Sequence, residues 1–250
     1  MNKAFWYQQA STYLHLQRNQ GGLWWIWFVI LPIAPILAYA FLGFLKVLPV
    51  EDGVPRFLYI IIGMTVWMLL SDALTKPYAS IFKADRFYVR QEITLLDLFS
   101  AWIPERLIQA ALQFLLCLAL VFVTFNFTLV SLIQFISLVV LGFMLFFLIG
   151  IVIAVISLMY PSLHSLVITL NRFLMFISGV IFPLPDNSLG VLIKHINPYY
   201  VFIDSARSSL FERSIDLYII SIWLFVGMLM FSLVWFLLPR ISIDVREFLQ

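Results

Sequence analysis

Ile181-Phe-Pro-Leu-Pro-Asp-Asn-Ser-Leu-Gly-Val-Leu-Ile-Lys-His-Ile-Asn-Pro-Tyr-Tyr-Val-Phe-Ile-Asp-Ser-Ala-Arg-Ser-Ser-Leu-Phe211 lies between two long hydrophobic runs near the end of the chain. It is too polar to span a bilayer and too apolar to be an ordinary solvated loop. The runs on either side of it set the fold class, and the segment itself asks what a membrane bundle does with a stretch that is neither span nor loop.

Working outward, 63% of the 250 residues are apolar and 11% are charged, whereas soluble domains carry roughly a quarter charged and about half apolar residues. This is the composition of an all-α integral membrane protein. A spanning helix needs about 20 mainly apolar residues, so the chain holds six spans and short connections in one membrane domain, residues 1–250. The net charge of +2 comes from scattered residues, which leaves no basic footprint for nucleic acid. Cys117, the single cysteine, excludes an intrachain disulfide and thiolate-rich metal sites and reads as a small core residue. The first residues lack a compact apolar region followed by a small-residue cleavage site, so the first span is expected to direct insertion itself.

Residues 4–18 place Trp6, Ala10, Tyr13 and Leu14 at helical spacing among polar residues, which predicts an amphipathic helix in the membrane surface. Six spans follow at 23–45, 57–75, 104–125, 131–158, 162–182 and 215–238. Pro32 and Pro35 lie inside the first, where neighbouring helices must accommodate them. Lys and Arg set the orientation. Lys3, Arg18, Lys76, Lys83, Arg86, Arg90, Arg106, Arg240 and Arg246 fall on one side; Lys46, Arg56, Lys194, Arg207 and Arg213 fall on the other. Both termini are therefore expected in the cytoplasm and 183–214 on the outer side. The halves of the chain do not repeat each other, unlike many gradient-driven transporters.

No phosphate-binding loop of the Gly-x-x-x-x-Gly-Lys-Ser/Thr type, no Gly-x-Ser-x-Gly elbow and no His-Glu-x-x-His occurs, and His15, His164 and His195 are isolated. An enzyme is the weakest reading. Residues 83–97 mix basic, acidic and aromatic side chains; they read as a solvated connection or as a short helix that docks a soluble partner through Phe87, Tyr88 and Val89. Arg172 sits deep in the fifth span, where a charge marks a functional candidate; equally, it snorkels or pairs within the bundle, with Asp72 as one partner. Asp72 has its own local explanation in Lys76, four residues on, the acid-before-base helical pair. Trp24, Trp25, Trp27, Tyr39, Tyr59 and Trp67 fit an interfacial belt, while a subset of such aromatics can support sugar rings along a conduit.

Three pieces carry a family resemblance. Gly21-Gly-Leu-Trp-Trp-Ile-Trp-Phe-Val-Ile-Leu-Pro-Ile-Ala-Pro-Ile-Leu-Ala-Tyr-Ala-Phe41, Ile62-Gly-Met-Thr-Val-Trp-Met-Leu-Leu-Ser-Asp-Ala-Leu74 and His195-Ile-Asn-Pro-Tyr-Tyr-Val-Phe-Ile-Asp-Ser-Ala-Arg207 resemble, in order and spacing, the membrane subunits of type-2 ATP-binding-cassette exporters that move O-antigen, capsule and teichoic-acid polymers. The resemblance implies a homodimer in the bacterial inner membrane, bound to two ATPase subunits that hold the ATP and Mg; this chain carries no cofactor. It makes 83–97 a cytoplasmic coupling helix, with Arg86, Phe87, Tyr88, Arg90 and Glu92 as contacts, and 183–211 a pair of outer re-entrant helices shaped by Pro183, Pro185, Asn197, Pro198 and Arg207. Trp25, Tyr39, Trp67, Arg172 and Phe176 become the candidate path for a glycan or glycolipid cargo. Two departures stand out. Tyr88-Val-Arg-Gln-Glu92 replaces a Phe-Pro-Arg-Glu-like turn, and Arg172 stands where an apolar residue is usual.

The expected function is the permease of an ATP-driven polysaccharide exporter, with lipid-linked cargo. Rival readings are the same architecture moving a small lipid or drug, and a gradient-driven transporter.

Overall fold

The computed structural model describes residues 3–19, 22, 24–45, 54–89, 94–124 and 127–249; the side chains of 3, 25, 27, 42, 44, 82–89 and 239–249 fall outside that description. Ten α-helices follow one another among the described residues, with no strand: α1 (Lys3–Arg18), α2 (Trp24–Phe44), α3 (Arg56–Val89), α4 (Leu95–Ser100), α5 (Ile103–Thr124), α6 (Leu129–Met159), α7 (Pro161–Ile177), α8 (Ser188–Ile196), α9 (Pro198–Leu210) and α10 (Leu217–Leu249). Four stretches are long and apolar enough to cross a membrane: Arg56–Ile81, Leu95–Thr124, Leu129–Met159 and Leu217–Leu238. The Phe28–Phe41 part of α2 and the whole of α7 are apolar but shorter. In lipid a backbone polar group finds no water, so a spanning chain must satisfy its own hydrogen bonds, and the helix does so within one segment.

α3 is the axis of the bundle. Its membrane-length stretch is buried over most of its residues, whereas α10 is exposed along most of its own. α6 packs parallel to α3, and glycines set how closely. A Cβ on Gly142 would meet Phe202 and Leu70, and one on Gly150 would run into the Ala73 and Leu74 carbonyls beside Pro77. Pro77 removes a backbone donor inside α3, which frees the carbonyl one turn earlier; the close approach of α6 at Gly150 covers that section. Helix association in an apolar solvent depends on such close packing and on polar bonds between helices.

Local capping places the remaining breaks. Thr94 and Asp97 form a capping box at the start of α4, the Thr94 side chain accepting from the Asp97 backbone N–H and the Asp97 side chain accepting from that of Thr94. Ser80 then links α3 to α4, its single hydroxyl proton shared among the Pro77 carbonyl of its own helix at 2.7 Å and the Leu98 and Phe99 carbonyls at 2.9 and 3.1 Å. Residues 83–89 continue α3, so the 83–97 segment is divided between the last turns of α3 and the first residues of α4; 90–93 lie outside the described residues. α7 stops at Ile177, and 178–187 run without regular structure to α8. Asn187 caps α8 by accepting from the Gly190 N–H at 2.7 Å.

Candidate functional site

The segment that is neither span nor loop folds into a helical hairpin, α8 and α9, joined at Asn197-Pro198. Pro198 stands at the first helical position of α9, where its missing N–H removes nothing the helix needs. α9 lies antiparallel to both α3 and α6. Along α6 its contacts run from Tyr199 on Phe146, with ring centroids 4.1 Å apart, to Phe202 at Gly142, and Glu212, just past the end of α9, continues the line by accepting from Ser131. Along α3 they end at Arg207 beside Gly63 and Tyr59. Asn197 thus sits at the depth of the helix mid-sections, inside the bundle.

Polar groups this deep need partners, and Asn197 meets three demands at once. Its N–H closes α8 on the Ile193 carbonyl at 2.9 Å, and its side-chain oxygen caps α9 by accepting from the Tyr199 N–H at 3.0 Å. Its side-chain amide donates to the Ile177 carbonyl and the Ser178 hydroxyl, at 3.2 and 2.9 Å. The end of α7 and both hairpin helices are therefore held by one residue.

Arg207 makes the second clamp. It is 3% exposed, and its guanidinium donates to the Tyr59, Gly179 and Val180 carbonyls at 3.1, 2.7 and 2.7 Å. The Tyr59 hydroxyl donates to the same Gly179 carbonyl at 3.0 Å. Gly179 has φ +64°, a left-handed conformation that glycine adopts without strain. Gly63 leaves the room: a Cβ there would collide with the guanidinium. The cation lies just beyond the C-terminus of α7, where the helix dipole favours positive charge.

A third cluster lies deeper. The Tyr199 hydroxyl donates to Asn171 Oδ1 at 2.6 Å, and Asn171 Nδ2 donates to the Ser71 hydroxyl at 2.5 Å, joining α9, α7 and α3. The next residue of α3, Asp72, holds Arg106 Nε of α5 at 2.6 Å and Lys76 Nζ at 3.3 Å. Arg106 is 1% exposed, so the cation is removed from water while Asp72 keeps a partly solvated edge. A polar chain thus runs from the first turn of α5 to the base of the hairpin. At the exposed rim of the hairpin, Lys194 bonds Asp186 at 2.5 Å, and that hydrogen bond, with the attraction of the ammonium, holds the carboxyl below its ordinary pKa.

Asn197 and Arg207 are buried, Pro183 and Pro198 are half-buried and Pro185 is exposed, all in or beside the hairpin. Arg172 is exposed on α7, and the partners of Asp72 are Lys76 and Arg106, so the pairing of Asp72 with Arg172 is replaced. Arg172 shares a stripe with Ser165, Thr169 and Phe176, all exposed, while Leu166, Leu170, Phe173 and Ile177 form a parallel apolar stripe one residue on. Tyr39 and Trp67 are half-buried and pack against the core; the side chain of Trp25 lies outside the described residues. Arg86, Phe87 and Tyr88 are on the last turns of α3 with their side chains outside the description, as are Arg90 and Glu92 altogether. Tyr59, Asn171, Tyr199 and Arg106 escape a search for motifs, because each acts through a partner distant in sequence. The available signal is a polar residue inside an apolar helical run.

An apolar groove of about 470 Å³ opens beside the hairpin, between α6, α7 and α8, with Ile149, Ile153, Leu174, Leu192 and Ile196 among its walls. Among the described residues no group of three or more His, Cys, Asp or Glu side chains converges as metal ligands would. Comparison of the chain with protein-family models and with curated proteins finds no match.

Proposed function

We propose that the chain is the channel-forming permease subunit of an ATP-driven exporter that moves a cell-surface polysaccharide, in lipid-linked form, across a bacterial inner membrane. The observation that carries this reading is the α8–α9 hairpin, its α9 packed on α3 and α6 and anchored by Asn197 and Arg207 to the end of α7, the residues just after it and Tyr59 of α3. Irregular backbone at bilayer depth is tolerated only where it is buried in protein or borders a wet cavity, and a gate needs both conditions in turn. Closed, the hairpin satisfies its polar groups against α3 and α7. Open, the same groups face the water of the path.

On this reading the Phe28–Phe41 run and α7 complete six spans, α1 lies in the cytoplasmic interface with both termini on that side, and the hairpin faces outward. Two copies form the conduit and two ATPase subunits dock near Arg86, Phe87, Tyr88, Arg90 and Glu92. Those subunits bind ATP and Mg; hydrolysis there shifts the balance between closed and open hairpins, which requires that the nucleotide states bind the two forms differently. The stripe of Ser165, Thr169, Arg172 and Phe176 offers hydroxyl, guanidinium and ring contacts to a passing sugar, with Tyr39, Trp67 and Trp25 as further aromatic supports. The resemblance of three sequence stretches to polymer exporters supports the same reading.

The test is reconstitution with a candidate ATP-binding-cassette ATPase subunit, measuring ATP hydrolysis and movement of a lipid-linked glycan. Hydrolysis should rise with the glycolipid, and transport should need both subunits. Gradient-driven transport by the chain alone would overturn the proposal. Loss of acidic-polymer export in a folded Arg172→Leu variant is expected; undiminished export removes Arg172 from the path. The apolar groove beside the hairpin favours a second reading, export of a small lipid or drug, and hydrolysis stimulated by such molecules but not by glycolipid would select it.

A further inference from the structure

α1 carries two faces with different tasks. One is anchored: Phe5 is buried, and Gln109 of α5 donates to the Tyr13 hydroxyl at 3.0 Å. Burial raises the Tyr13 pKa, an effect larger than the lowering from that hydrogen bond. Phe28 of α2 joins the two helices, with ring centroids 6.3 Å from Tyr13 and 6.1 Å from Trp24. The opposite face is open. There a groove of about 420 Å³ lies between α1, from Tyr7 to Arg18, and Trp24 in the first turn of α2, within the roughly 300–1,000 Å³ of small-molecule sites.

The groove is built in layers. Ala10 and Leu14 give an apolar floor, Trp24 a wall, and Ser11, His15 and Arg18 a polar rim at successive turns of one helix face. The rim has one sign of charge. α1 and α2 contain no acidic residue, and Glu105, the one acid of α5, acts on Tyr13 on the other side of α1. Arginine presents a planar fork of donors suited to phosphate oxygens, a serine hydroxyl donates one more bond, and an imidazole donates through one nitrogen in either tautomer. An indole beside such a rim is the usual interfacial anchor.

We propose that the α1–α2 groove is a headgroup site for an anionic phospholipid of the surrounding bilayer, its phosphate held by Arg18, Ser11 and His15 and its glycerol and first methylenes resting on Leu14 and Trp24. Charge complementarity and the membrane character of the chain favour a lipid here whether or not the chain is an exporter. A surface helix gains its hold from apolar contact and from attraction to anionic lipid together, and this groove supplies both at one place. The lipid then ties α1 to the start of α2.

The test is lipid retention by the purified full-length chain in native mass spectrometry, with phosphatidylglycerol and phosphatidylcholine as probes. Phosphatidylglycerol should be retained in preference, and Arg18→Gln should lower that preference about fivefold, the effect of one basic side chain near a membrane surface. Arg18→Lys should keep most of it, and rising salt should weaken it in the native chain. Equal retention of the two lipids, a preference unmoved by both Arg18→Gln and salt, or displacement of phosphatidylglycerol by equimolar inorganic phosphate would each overturn the assignment. Should Arg18→Gln fail to fold, the lysine variant and the salt series on the native chain decide.

Discussion

The guanidinium carbon of Arg207 lies 3.6 Å from the ring centroid of Tyr59, and both residues hydrogen-bond the Gly179 carbonyl. The hydrogen-bond partners of this buried cation are backbone carbonyls and its neighbour is an aromatic face, so its desolvation is offset by dipoles fixed by the fold. Lysine cannot reproduce the fork. Arg207→Lys is expected to lower stability by about 3 kcal/mol, from the charged hydrogen bonds lost, read as a fall in the thermal midpoint of the purified chain. An unchanged midpoint would show that the clamp contributes nothing.

Gly63 gives an independent handle on the same contact. A Cβ there would occupy the guanidinium position and crowd the Val180 carbonyl that accepts from it, so Gly63→Ala should disrupt the clamp without altering the Arg207 side chain. The two substitutions remove one interaction, and their effects should therefore fall short of additive by about 1–3 kcal/mol. Simple additivity in a double-mutant cycle would separate Gly63 from the clamp.

The helical class and the membrane character were legible because apolar composition and run length are properties of residues taken singly. The hairpin was legible in part: the resemblance implied a pair of short helices over 183–211 with Asn197-Pro198 among the residues that shape it, while the Asn187 cap that starts α8 came from the structure. The clamps were not. Arg207 meets Tyr59 across 148 positions and Asn171 meets Ser71 across 100, so no spacing along the chain announces them. Asp72 shows the limit most clearly. Its helical neighbour Lys76 was visible at four residues, but the shorter bond is to Arg106, which the turn at α4 brings back against α3.

The Tyr199, Asn171 and Ser71 chain predicts a directional asymmetry. Tyr199→Phe keeps the ring on Phe146 and removes only the hydroxyl, leaving Asn171 Oδ1 without its donor in a buried site. A loss of about 1–3 kcal/mol follows. Adding Asn171→Leu to that variant should cost less than it does in the native chain, since the stranded carbonyl goes with it. Denaturation midpoints of the four proteins in one detergent test this, and equal costs in both backgrounds would refute it.

Asp72→Asn should be the most damaging single change in the polar chain. It leaves the Arg106 cation, 1% exposed, without its directly paired carboxylate and with only the more distant charge of Glu105 to act on it, and because Asp72 itself is partly solvated the loss should reach about 3 kcal/mol, the lower end for breaking a buried pair. Lys76 is partly solvated and loses little. Arg106→Met in the Asp72→Asn background should recover part of the loss, because the unpaired buried charge is gone. If the double variant is less stable than Asp72→Asn alone, the pairing is not what Asp72 supplies.

The exposed rim of the hairpin predicts a pH response of defined sign. The Lys194 hydrogen bond and charge lower the Asp186 pKa, so the folded form holds this proton more weakly than the unfolded one. Stability from the pair is then present above the ordinary carboxylate value, about 4, and is lost as the pH falls through the lowered one. Hydrogen exchange of the α8 amides, followed downward from neutral pH and corrected for intrinsic rates, should show protection that persists to about pH 4 and then declines. Asp186→Asn should abolish that decline and lower protection at neutral pH by a small amount, since solvent screens an exposed pair. A decline of the same size in the variant would assign the response to another group.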